Sequence, residues 1–212
     1  MPPEPATKPR PERRLGAKTA PNRALLLTAA EELFCNEGYA SVTARRVAEH
    51  AGLKVQLVYY YFQNMDELIL EVVQQHEQRR SHAFVRALAS PEPLRALWDL
   101  ARNHNSAIFT TEILALANHR ESIGREIARI GATFRRLQTE ALEELLTARG
   151  VDLKSYPASA IVVTINALCR AMAQDCALGT PEGYQDAVAL VGQLLDMLER
   201  TPGPGAPALD QC

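Results

Sequence analysis

From Asn22 onward the apolar residues recur every three or four positions, the spacing of helices with one buried face, and no stretch alternates as a strand would. Leu26, Ala30, Leu33 and Phe34 form the first stripe, which starts at Asn22, a capping residue, and stops at Gly38. A shorter pattern begins after Thr43, a good N-cap, with Val47 and Ala48 on one side and Arg45, Arg46 and Glu49 on the other. It ends at Gly52, which supplies the positive φ of a helix stop. From about Lys54 to Phe62, Val58 and Phe62 face inward, leaving Lys54, Val55, Gln56, Tyr59 and Tyr60 to point outward. Asn64, with Glu67 three residues on, caps a fourth helix. Further helices are expected at about 65–89, 93–118 with a break near Thr110-Thr111, 120–149, 157–178 and 181–200. The chain is therefore all-α.

Two short helices joined by a glycine-containing turn form the unit that lays its second helix in the major groove of DNA. The run Tyr59-Tyr60-Tyr61-Phe62 agrees with this, because one helix cannot bury four consecutive rings. Phe62 and Tyr61 suit a core, while the hydroxyls of Tyr59 and Tyr60 suit phosphate oxygens.

Gly38-Tyr39, Arg45-Arg46-Val47-Ala48, Ala51-Gly52-Leu53 and Val58-Tyr59-Tyr60-Tyr61-Phe62 together resemble the DNA-binding domain of TetR-family transcriptional regulators, over about residues 23 to 70. The resemblance implies an N-terminal three-helix DNA-binding domain with a helix-turn-helix and a C-terminal helical dimerisation and ligand-binding domain. Their expected limits are residues 22–64 and 65–200, flanked by tails at 1–21 and 201–212. Thr43, Arg45, Arg46, Lys54, Val55, Gln56, Leu57, Tyr59 and Tyr60 are then the residues that meet double-stranded operator DNA. There are departures. Lys54 stands at the small cap of the recognition helix, Leu57 at its usual Thr, Arg46 at an acidic position and Met65 at a Lys. A leucine at 57 loses a hydroxyl contact but suits a thymine methyl.

Charge sharpens this picture. The 212-residue chain has net charge −2, yet its first 62 residues hold nine Lys or Arg against six Asp or Glu, and the remainder 14 against 19. The DNA-facing end is the basic end. The first 21 residues hold six of the 13 prolines and little apolar surface, which predicts a disordered basic tail; no apolar run of a secretory signal follows it. The last 12, rich in Pro and Gly, are expected to be disordered too.

The segment Ala158 to Leu178 is apolar on more than one face, and residues 187 to 198 are broadly apolar, more than a monomer covers. Asn166, Arg170 and Asp175 argue against a membrane span. A two-fold four-helix interface, as the resemblance implies, makes a homodimer, with Ile161, Ile165, Leu168, Val191, Leu194, Leu195 and Leu198 as its candidates. Trp98, Phe109, Glu112, Phe134 and Met172 are candidates for a pocket for a small hydrophobic effector, with Asn105, Asn118, His119 and Gln138 as polar anchors. Gly124 and Gly131, seven apart, suggest a close approach by a neighbouring helix or a ligand.

Marks of catalysis are missing. No Glu stands three residues before any of the five histidines, and there is no nucleophile elbow, phosphate loop or His-Glu-x-x-His pair. Cys35, Cys169, Cys176 and Cys212 have no zinc spacing and suit a reducing cytoplasm. No metal, cofactor or catalytic residue is expected. The sequence thus predicts a cytoplasmic, ligand-responsive DNA-binding regulator, a repressor of an exporter or catabolic operon by the same resemblance. Its rival is a helical small-molecule binding protein or enzyme that keeps a vestigial helix-turn-helix.

Overall fold

The computed structural model describes residues 20–200, and both expected tails lie outside them apart from Ala20 and Pro21. Among these residues there are only helices, turns and loops. The first helix, α1, spans Pro21–Glu37; its cap is Ala20 with Pro21 in the first turn, not Asn22. Proline suits that place because its missing N–H has no helical partner there. A single 3-10 turn, Tyr39–Ser41, leads to α2, Ala44–His50, and α3, Val55–Tyr61. Then α4 runs 24 residues, Met65–Leu88, from the expected cap: Asn64 Oδ1 accepts the Glu67 N–H at 2.9 Å, and Glu67 accepts the Gln63 N–H at 2.5 Å.

The expected helix 93–118 is broken, but not at Thr110. It divides into α5, Pro93–Ala101, and α6, His104–Ala117, at Asn103, whose side chain accepts the Ser106 N–H at 3.0 Å. Thr110 stays helical by donating its hydroxyl to the Ser106 carbonyl one turn back, at 2.8 Å. Next come α7, Glu121–Ala148, α8, Ala158–Leu178, and α9, Tyr184–Arg200, three residues later than expected.

One core joins the first four helices to the rest. Leu26, Leu33, Phe34, Val47, Val58 and Phe62 pack with Leu68, Val72 and Val73 of α4, and the cluster continues into Phe109 and Ile113 of α6 and Ile123 of α7. The expected boundary at residue 64 therefore cuts a continuous core. Arg23, two residues beyond the expected tail, is buried: its guanidinium lies 4.9 Å from the centre of the Phe62 ring and is paired with Glu71.

The helices α7 and α8 pack antiparallel, with Leu146 and Ala158 buried at one end and Asn166 Nδ2 donating to Gln138 Oε1 at 3.1 Å midway. By length and composition alone α8 is long and apolar enough to cross a membrane, with mean hydropathy 1.3. Here it packs on α5, α6 and α7 instead. Its outward side and that of α9 leave Val163, Leu178, Leu190, Leu194 and Met197 exposed. Of the dimer candidates, Ile161, Ile165, Val191, Leu195 and Leu198 line a cavity, Leu168 is half-buried, and Leu194 lies on the exposed side. Where nearly every position is apolar, helical periodicity does not single out one face.

Candidate DNA-reading head and effector cavity

The short helices α2 and α3 are held by local geometry. Thr43 Oγ1 accepts the Arg46 N–H at 3.3 Å, and at Gly52, φ 67°, the chain reverses so that the Leu53 N–H reaches the Ala48 carbonyl at 2.9 Å. Val58, Tyr61 and Phe62 are buried, while Tyr59 and Tyr60 are 43% and 49% exposed. Tyr60 is steadied by edge-on contact with Tyr61, ring centres 4.9 Å apart. Lys54 and Gln56 are exposed too, so four residues of the expected set share an outward surface. Val55 and Leu57 differ from expectation: both are half-buried against the core. The two arginines of α2 are exposed but engaged, Arg45 with Glu49 at 2.8 Å and Arg46 with both oxygens of Glu37 at 2.6 and 2.7 Å. Such exposed pairs are weak and screened by salt, so a phosphate can take the place of either acid.

The head is fastened to the body at Glu112. Expected in a pocket, it is not in the cavity wall; its carboxylate accepts the Tyr39 N–H at 2.7 Å, and the Tyr39 ring stacks on His119 at 6.3 Å. Gly38 is required there twice over, because φ is 79° and an added Cβ would sit 3.0 Å from the Glu112 oxygen. A second tie runs from Arg120, at the start of α7, to Asp66 in the first turn of α4.

Behind the head lies a cavity of about 1090 Å³. Of the pocket candidates, Trp98, Phe109 and Phe134 line it, the last edge-on to Phe84 with ring centres 5.7 Å apart. Met172 does not: the α8 wall, from Ile161 to Arg170, stops short of it. Of the anchors, Asn105 and Gln138 are in the wall, whereas Asn118 and His119 are exposed outside it. Gly124 makes the close approach expected of it, since a Cβ would meet the Ala117 carbonyl at 3.0 Å, but Gly131 faces open space.

Sequence reasoning overlooked the polar end of this cavity. His76 is buried, stacked on Phe109 at 4.1 Å, with Nδ1 2.8 Å from Glu31 and Nε2 3.0 Å from Ser106 Oγ; Arg79 pairs with the same Glu31. The network joins α1, α4 and α6. The signal was present: His76 continues the inward stripe of Ile69, Val72 and Val73 at helical spacing. Burial works to raise the Glu31 carboxyl, but hydrogen bonds from His76 and Arg79 and their charge outweigh it and hold Glu31 below the ordinary carboxylate range. A depressed folded-state value means that Glu31 contributes stability above its unfolded value and loses it as pH falls through the folded one. Glu31→Gln is therefore expected to flatten the acid limb of a stability-against-pH curve below the usual carboxylate value, measured by urea midpoints; an unchanged limb would remove Glu31 from the network's energetics. The Cys35 and Cys169 thiols are pushed up to about 11 by burial, and remain protonated at neutral pH.

Residues 26–72 match the family model described as bacterial regulatory proteins, tetR family. No curated protein matches the chain. Among solved structures, the fatty acid degradation regulator FadR from Bacillus halodurans is 20% identical over 87% of this chain and 97% of its own, with TM-score 0.65. A bacterial regulatory protein of the tetR family from Rhodococcus is 19% identical over 89% and 100%, TM-score 0.60. Salmonella enterica GusR is 15% identical over 86% and 95%, TM-score 0.63. These likenesses establish the fold.

Proposed function

We propose that this chain, whose residues 26–72 match the model of the tetR family of bacterial regulatory proteins, is a homodimeric, cytoplasmic repressor of that kind, released from a palindromic operator by a small hydrophobic effector. The observation that carries this reading is the large, mostly apolar cavity whose polar end is built from α1, α4 and α6, the helices that hold the reading head. Val163, Leu190, Leu194 and Met197 supply the dimer face. A helix of 24 residues is about 36 Å long, so a tilt of α4 moves the head rigidly. Two heads share an operator when they sit about 34–36 Å apart. An effector that favours another spacing by about 1–3 kcal/mol releases the DNA. An exporter or catabolic operon is the target class, and the similar Bacillus halodurans protein, a regulator of fatty acid degradation, is of the catabolic kind.

The test is selection of operator duplexes from a random library, followed by gel shift at moderate salt. A binding protein or enzyme with a vestigial head would enrich no sequence. With an operator in hand, Gln56→Ala is expected to relax choice at one base position by about 1–3 kcal/mol. Lys54→Ala should weaken all sequences alike and lower the salt slope by about one unit. Unchanged selectivity in Gln56→Ala would take that side chain out of base readout.

A further inference from the structure

The cavity wall carries seven formally charged side chains, Glu31, Glu32, Glu77, Arg79, Arg80, Arg135 and Arg170. The acids are all engaged: Glu31 by Arg79 and His76, Glu32 by His50, Glu77 by Arg80. Arg79 and Arg80 are thereby paired as well. Arg135 on α7 and Arg170 on α8 are left, among the described residues, with no ion pair or side-chain hydrogen bond.

Helix geometry puts these two at one level. The Asn166 to Gln138 hydrogen bond sets the register of the antiparallel pair. Arg135 precedes Gln138 by three residues and Arg170 follows Asn166 by four, so both lie about one turn, roughly 5 Å, from that bond in the same direction. Like charges so placed repel, and the half-buried Arg170 has lost part of its hydration without gaining a counterion. An anion between them relieves both costs, and two guanidinium forks match the oxygens of a carboxylate or phosphate. The same wall supplies apolar surface from Trp98, Ile165 and Leu195, and from Phe134, whose ring also carries the paired Arg80 guanidinium 4.5 Å from its centre.

We propose that Arg135 and Arg170 form an anion clamp in the cavity, and that the effector is an anionic amphiphile with a carboxylate or phosphate head on an apolar body. The inference rests on the reading of this cavity as an effector site. It is tested by calorimetry on the full chain with decanoate, decyl phosphate, 1-decanol and decylammonium, each below its micelle threshold. One of the two anions is expected to bind about tenfold or more tightly than decanol, and decylammonium least, the better anion identifying the head. Arg135→Ala, a substitution of an exposed side chain, and Arg170→Ala should each bring that anion down toward the decanol level and leave decanol itself unmoved. Arg170→Lys should keep part of the preference. Equal binding of decanol or decylammonium, no binding of either anion, or a preference that survives the double alanine variant would each overturn the clamp. Anions that bind through the arginines without releasing the selected operator would sink the repressor-release reading and leave the clamp standing. Release by decanol with no anion preference would do the reverse.

Discussion

Leu194→Glu is expected to turn the protein into monomers and to weaken operator binding by about 10²–10⁴-fold, the advantage that tethering two heads confers on a two-site operator. Leu190, Leu194 and Met197 follow one another at four and three residues along α9 and are 59%, 47% and 60% exposed, a large apolar stripe open to solvent. In a two-fold interface each substituted Glu meets the partner's apolar stripe and, near the axis, its own copy, so desolvation and repulsion act together. Leu195 is the neighbouring control, because it faces the cavity. Leu195→Glu should reduce stability or effector binding before it changes assembly. Sedimentation velocity at micromolar concentration decides the matter: an unmutated protein that runs as a monomer, or a Leu194→Glu variant that runs as a dimer, ends the proposal.

Phe34→Ala is expected to cost about 3–5 kcal/mol, a large part of the roughly 5–15 kcal/mol typical of a domain. Phe34 is fully buried and meets Phe109 edge to face with ring centres 5.5 Å apart, so it fills the seam between α1 and α6. Removing the ring leaves a hole beside a cavity that is already large, and Phe109, stacked on His76, loses one of its two ring partners. The urea midpoint should fall with little change in slope. A loss under 1 kcal/mol would mean that the seam collapses freely or that α1 and α6 hardly depend on each other.

The sequence disclosed what depends on neighbours a few residues away. Thr43 and Asn64 cap, Gly52 turns, and Val58 with Phe62 turns inward because each of these needs only helical spacing and local backbone bonds. Asn103 was a signal of the same local kind, passed over for the threonines at 110 and 111, whose hydroxyls bond within a helix as readily as they end one. Long-range partners were hidden. Glu112 finds Tyr39 across 73 positions and Arg23 finds Glu71 across 48, and nothing in either local pattern points to the other residue. The dimer and cavity faces of α8 and α9 were hidden for another reason. Val162 and Val163, or Leu194 and Leu195, are chemically alike, and only packing sends one of each pair inward.

The continuity of the core bears on how this protein can be recombined with others. A graft that takes the reading head alone, up to Asn64, would leave behind Leu68, Val72 and Val73, which close its floor, and Glu71, which neutralises a buried arginine. Extending the graft through α4 restores those but strands Tyr39 without the Glu112 carboxylate and Asp66 without Arg120. A working chimera therefore has to carry α6 and the start of α7 along with the head, so under the proposed function a new DNA specificity is better sought by exchanging the exposed Lys54, Gln56, Tyr59 and Tyr60 in place than by transplanting a domain.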